Sequence, residues 1–456
     1  MNTVDYGDLR VGMTTTLDWV WDDKNTGANR DASIYNPRPE GDLLPIGSIG
    51  FNKRGSDNSG SWGVLLVGNV PGSKSPACRH PTDYNKTWND GGGGGKWDLT
   101  MWRPVAPEGY VAMGEYCTGN YKKPLLEAVW CIRQDYVADA SFPSSWWDDR
   151  GSGATDNASC WSPKPQSMSL HGDAYIPIRT DTFYAKGGTH TVPPPESLAK
   201  TLRLYVGSTS FREFAAPLPT FTTRTMPKAG DGMYGDVQGS VTLPYTAFFD
   251  PRDEASRNKI ADPFVTISRS SCWYVAGVWK NDTADPFEMS QVVEYGITKE
   301  QSDPLRQSTG ISVTSDGVVS AGLAAEKISM SLNRQLTGLT PPPLEEFYPR
   351  SVTEKVTVPA MTAVVLFTRR IYYRAARSDG SELAADLSFN ASNEVHLARY
   401  RISIEFESSG RGLGLLQSQL EQNSRGQGPH SAISYVCLLN FGLHTVKVHR
   451  SPRLVE

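Results

Sequence analysis

One pattern recurs three times in the N-terminal half of this chain: a tryptophan, two short acidic or amide residues, and a proline sixteen residues after the tryptophan. The openings are Trp21-Asp22-Asp23, Trp88-Asn89-Asp90 and Trp147-Asp148-Asp149. The closings are Tyr35-Asn36-Pro37, Trp102-Arg103-Pro104 and Trp161-Ser162-Pro163. In the same register Gly27, Gly94 and Gly153 match, as do Asp31, Asp98 and Asn157, and Ser33, Thr100 and Ser159. Pro37 and Pro104 are each followed ten residues later by a glycine, Gly47 and Gly114, and in the third copy Gly172 comes one residue early. Copies start about 60 to 67 residues apart, longer than one solenoid repeat, so three of them predict a closed pseudo-threefold object.

The 42 glycines and 31 prolines among 456 residues, with no long run of helix formers at 3.6 spacing, describe short strands joined by turns, and an all-β chain is expected. Copy one spans about 10–80, copy two 84–140 and copy three 141–208. Trp62 to Val67 and Leu125 to Ile132 read as strands flanking the repeat. Each copy can bury its apolar face only against the other two, and units of this length fit about four short strands each, which favours a β-prism over a trefoil-like barrel. The organisation expected is a β-prism-like domain at 1–210, a Pro- and Gly-rich linker at 211–233, a β-rich domain at 234–407 and a loop and tail at 408–456. Strands in the second domain are expected at 241–244, 264–268, 272–279, 291–298 and 354–367.

Net charge of −4 and a pI near 6 lack the basic field that nucleic acid requires. The start has no basic n-region or apolar h-region, and no stretch approaches about 18 continuous apolar residues, so a soluble chain without a classical signal peptide is expected. Cys78, Cys117, Cys131, Cys160, Cys272 and Cys437 form no Cys-x-x-Cys pair and no zinc spacing, so neither metal nor cofactor is expected. They read as reduced core cysteines, with a disulfide among Cys117, Cys131 and Cys160 as the alternative. Gly68 to Ser75 imitates a phosphate loop, but Ser73 replaces the required glycine and Pro76 opposes the following helix. The seven histidines are scattered, no nucleophile elbow is present, and no enzymatic activity is expected.

The acidic turns are the first candidate binding feature. Sugar recognition needs short carboxylates or amides, glycine for close backbone approach, and an aromatic face. Trp21, Asp22, Asp23, Trp88, Asp90, Asp98, Trp147, Asp148 and Asp149 supply these. The competing reading is that the aspartates make Asx-turns and the tryptophans are core. The second feature lies at 308–337, where Ile311 and Val313, then Ile328, Met330 and Leu332, alternate with Ser, Thr and Asn around a Gly-rich middle containing Val318 and Leu323. Two strands of about 9–11 residues fit there, the length of a transmembrane β-hairpin, although an ordinary half-exposed hairpin alternates in the same way.

Ile34 to Gly41, Met101 to Gly114 with its Pro-Glu-Gly-Tyr run, and Leu125 to Arg133 resemble the vacuolar-protein-sorting-associated sixty-two-like family over about residues 10–205. The resemblance implies a β-prism-like fold and no catalytic residue; in bacteria some relatives are insecticidal. More weakly, Val356-Thr357-Val358-Pro359-Ala360-Met361-Thr362 after an alternating Ser/Thr-rich segment resembles aerolysin-type β-pore-forming toxins. Together these imply a released toxin that binds a cell-surface glycan or receptor, forms a homo-oligomer and inserts 308–337 into a target membrane, insect midgut being the favoured one. A lectin-like or trafficking-associated binding protein is the alternative. A glycoside hydrolase is a third class, and it would need two carboxylates at catalytic separation.

Overall fold

The computed structural model describes residues 1–165, 175–207, 211–221, 225–309, 311–315, 319–321, 336, 347–383, 385–406 and 448–454. They form a mostly all-β protein whose one helix longer than a turn is Lys299–Thr309. Each copy builds one three-stranded antiparallel sheet. These are Leu17–Asp22, Ser33–Pro37 and Ile49–Phe51; Asp83–Asn89, Thr100–Val105 and Tyr116–Thr118; and Ser145–Asp148, Ala158–Trp161 and Tyr184–Gly187. Every first strand carries a bulge just before its tryptophan, leaving Val20, Thr87 and Trp146 as the extra residues. A bulge re-aims the side chains around it.

The strands entering and leaving a copy lie side by side and pair with each other: Leu9–Thr14 with Val64–Asn69, Cys78–Arg79 with Cys131–Arg133, and Val137–Ser141 with Lys200–Tyr205. Each copy therefore divides its strands between two small sheets instead of forming one sheet of four. Residues 125–132 depart from expectation. Pro124 leads into a short 3₁₀ turn at Leu126–Ala128 with Leu125 exposed, and the strand is reduced to Cys131–Arg133.

Two features close the ring of copies. The indoles of Trp21, Trp88 and Trp147 are all buried, and Trp147 meets each of the other two edge-to-face at 5.7 Å. Each indole N–H donates to the carbonyl nine residues past the tryptophan of the next copy: Trp21 to Trp97 (3.2 Å), Trp88 to Asp156 (2.6 Å) and Trp147 to Arg30 (3.2 Å). Across the same seams the amides of Asn29, Lys96 and Thr155 donate to the carbonyls of Arg150, Lys24 and Gly91. The third copy is longer than the others, and its third strand starts at Tyr184. Thr182, not Gly172, stands where Gly47 and Gly114 stand in the other copies. A Cβ on either glycine would press on the buried Thr182 side chain, so the two glycines make room for one threonine. Gly172 lies outside the described residues.

The second half is a seven-stranded sheet in the order Gly232–Pro244, Phe264–Asn281, Thr362–Ala376, Leu387–Phe406, Phe287–Tyr295, Arg350–Val358, with Val448–Leu454 also pairing with Leu387–Phe406. The segments read as separate strands at 264–268 and 272–279 are one strand of 18 residues. The reading of 354–367 as one strand is corrected in the opposite sense. Pro359 cannot donate to a ladder and Met361 takes a left-handed φ of 50°, so the chain turns there and two strands result. Phe214, Ala216 and Met226 pack on this sheet, and Phe221 stacks on Phe367 at 5.1 Å, so the Pro-rich stretch after copy three is docked along its described length. Tyr6 donates to the Thr242 carbonyl (2.9 Å), and one apolar core runs from Leu9, Val11 and Leu204 through Tyr245 to Phe389. Cys78, Cys117, Cys131, Cys160 and Cys272 are buried and unbridged, which removes the disulfide alternative; Cys437 is outside the described residues.

Candidate functional site

The acidic turns cluster at one end of the threefold axis, and their roles repeat. The first acid makes an Asx-turn, accepting from the amide two residues on: Lys24 to Asp22 (3.1 Å), Gly91 to Asn89 (3.3 Å), Arg150 to Asp148 (3.3 Å). The second acid reaches across to the next strand, Leu99 N–H donating to Asp90 at 2.9 Å and Ala158 N–H to Asp149 at 2.7 Å. The segment after each third strand then supplies a different partner. Arg54 meets Asp23 at 2.7 Å and also Asp31, Tyr121 donates to both Asp90 and Asp98, and His190 lies 2.9 Å from Asp149.

Of the two readings of the turns, this geometry favours Asx-turns and core tryptophans. Trp21, Trp88 and Trp147 offer no face for stacking because they fill the axis. Asp22, Asp23, Asp90, Asp148 and Asp149 are all buried and each already accepts from neighbouring amides or side chains of the chain, while one Asp23 oxygen has no partner among the described residues. Only Asp98 is exposed. Among the described residues no group of three or more His, Cys, Asp or Glu could hold a metal ion.

Burial raises the carboxyl groups of Asp23, Asp90 and Asp149 above their ordinary value of 3.8, while the Arg150 guanidinium lowers that of Asp148. Asp90 has only neutral donors, Leu99, Trp21 and Tyr121, to oppose the effect of burial. A carboxyl raised in the folded state holds a proton that the unfolded chain has released, so its contribution to stability is present at low pH and is lost as pH rises through its folded value. Relative to an Asp90→Asn variant, wild-type stability should fall as pH rises from the ordinary carboxyl value of 3.8 through the raised folded value, read from urea midpoints at each pH. An unchanged difference would show Asp90 titrating at its ordinary value.

Two grooves that the repeat pattern alone did not reveal open at equivalent seams. One, of about 490 Å³, lies between the third strand of copy one and the bulge of copy three, with Phe51, Trp62 and Trp146 on its walls. The other, of about 480 Å³, lies between the third strand of copy two and the bulge of copy one and is lined by Trp19, Val20 and Tyr116. The signal for the first was the doubled Trp146-Trp147, where the other copies place Val20 and Thr87 before their tryptophans.

In the second half the alternating segment hangs from a regular nine-residue ladder, Phe287↔Val358 to Tyr295↔Arg350. Ser308 and Thr309 belong to the helix, and Ile311–Val313 pairs with Val319–Ala321. Leu305, Val313 and Leu336 are buried in the large core. Val318, Leu323, Ile328, Met330 and Leu332 lie outside the described residues, as do 407–447. No described helix is long and apolar enough to cross a membrane.

Residues 1–202 match the family model described as Vacuolar protein sorting-associated protein 62, a span that covers the three copies and ends before the large sheet. Among solved structures, the crystal structure of GNIP1Aa from Chromobacterium piscinae matches at 21% identity over 41% of this chain, with a TM-score of 0.33. The match spans 35% of that chain. The crystal structure of Cry35Ab1 matches at 11% identity over 87% of this chain and 90% of that one, also with a TM-score of 0.33. No curated protein matches.

Proposed function

We propose that this chain is a non-enzymatic pore-forming protein in which a β-prism-like domain at 1–210 recognises a target-cell surface and an aerolysin-like domain at 234–407 oligomerises and inserts 308–337 as a β-hairpin. The ladder between Phe287–Tyr295 and Arg350–Val358 carries this reading. Residues 296–349 leave and return at adjacent positions, Tyr295 and Arg350, so an alternating segment within them can extend the same two strands. Leu305, Val313 and Leu336, packed in the core, are the apolar groups that such an extension exposes. Closing hairpins from several copies into a barrel pairs every backbone group and leaves no edge in lipid. An insect gut membrane is the target that the bacterial relatives of the resembled family suggest.

The test is dye release from vesicles made of target-cell membrane lipids and glycoproteins. Wild type should release dye, with or without protease activation. Ser312→Cys with Ser320→Cys joins positions that pair across the folded segment, and should bind but leak only after reduction. No release under any condition would leave the second reading, a surface-binding protein without pore formation, which the confinement of the family match to residues 1–202 favours.

A further inference from the structure

The groove between copies one and three differs from its sibling in one built feature. At the bulge, where copies one and two carry Val20 and Thr87, copy three carries Trp146. The residue it faces is Gly50, whereas copies two and three place Cys117 and Ala185 at that position. A Cβ at Gly50 would fall inside the Trp146 ring, so this glycine is what allows the indole to lie in the seam. Phe183 holds the ring edge-to-face at 5.3 Å. Opposite stand Phe51 and Trp62, edge-to-face at 5.2 Å, with the Arg252 guanidinium 5.6 Å from the Trp62 ring. Half-buried aromatic rings thus face a space within the range of small-ligand sites.

The polar lining narrows the ligand class. Asn58 is fully buried at the wall, and its carboxamide oxygen has no partner among the described residues; nor has the indole N–H of Trp62. Both atoms are themselves closed to solvent, so a ligand in the groove meets the ring faces and not these two groups. The charged side chains largely cancel: Arg179 holds Asp181 at 2.6 Å and Asp250 holds Arg252 at 2.8 Å, leaving Lys53 at the exposed rim. Aromatic faces and a nearly neutral field suit a ring that is apolar on one side and hydroxylated at its edge.

We propose that this groove binds a neutral hexose unit of a glycan. The proposal rests on the reading of 1–210 as the surface-recognising half, and it moves the contact from the acidic turns to the seam. Because Arg252 belongs to the second half of the chain, a bound sugar touches both halves at once.

The experiment titrates the full chain with methyl glycosides of glucose, galactose, mannose and N-acetylglucosamine, followed by calorimetry and saturation-transfer NMR. At least one should bind saturably with Kd near about 1 mM or tighter. Trp146→Val, which installs the residue copy one already carries, should weaken it about tenfold or more, as should Arg252→Ala in part, while Asp98→Asn should not. Absence of saturable binding, full affinity in both Trp146→Val and Arg252→Ala, or binding of sialosides alone would overturn the proposal. So would Trp146-dependent binding to sugar-free phosphatidylcholine vesicles without any glycoside effect. Dye release without glycoside binding defeats the groove alone, and glycoside binding without dye release defeats the pore alone.

Discussion

Replacing Trp147 by alanine is expected to destabilise the protein by about 3–5 kcal/mol, more than Trp21→Ala or Trp88→Ala. Trp147 is the indole that meets both of the others, and it is 1% exposed among buried neighbours. The substitution also leaves the Arg30 carbonyl without its donor. Domains of this kind have about 5–15 kcal/mol in total, so the variant should unfold at a much lower urea midpoint. Equal loss at all three tryptophans would mean that the ring of hydrogen bonds, not the edge-to-face contacts of Trp147, sets the cost.

Arg103→Asn should cost about 3–5 kcal/mol alone and far less when combined with Glu115→Ser. Glu115 is fully buried, accepts from Arg103 Nε at 2.8 Å, and also binds Thr87 and the Ala185 amide. Removing only the arginine strands a buried charge. Copy one solves the same position without charge, through Asn36 and Ser48, whose side chains bond each other, so the double variant transplants a pair already proven in this fold. Urea denaturation of the single and double variants measures the coupling. A double variant as unstable as Arg103→Asn would show that the site in copy two needs the ions themselves.

The threefold symmetry was legible because it is periodic in the chain, and the triplets mark where each copy's core indole and turn lie. What the triplets do was harder to read. Aspartates that bind a ligand and aspartates that fold a turn have the same composition, and only the Asx bonds of Lys24, Gly91 and Arg150 separate them. Pairing between the entering and leaving strands was invisible because it joins residues such as Leu9 and Asn69 with no local pattern. Pro359 was read inside a strand because the flanking Val356, Val358, Val364 and Val365 are all strand-like. The doubled Trp146-Trp147 was on the page from the start, but its meaning depends on Gly50, nearly one hundred residues earlier in the chain.

The indole-to-carbonyl ring described for Trp21, Trp88 and Trp147 runs in one rotational sense, each copy giving to the next and receiving from the one before. Such a circuit counts. Two copies would leave one indole donor facing solvent and one carbonyl unmet, and a fourth would widen the axis so that Trp147 could no longer meet both of the other rings. The stoichiometry of the domain is therefore set by a closed loop of donors, and any engineered addition or deletion of a copy has to begin by rewriting that loop.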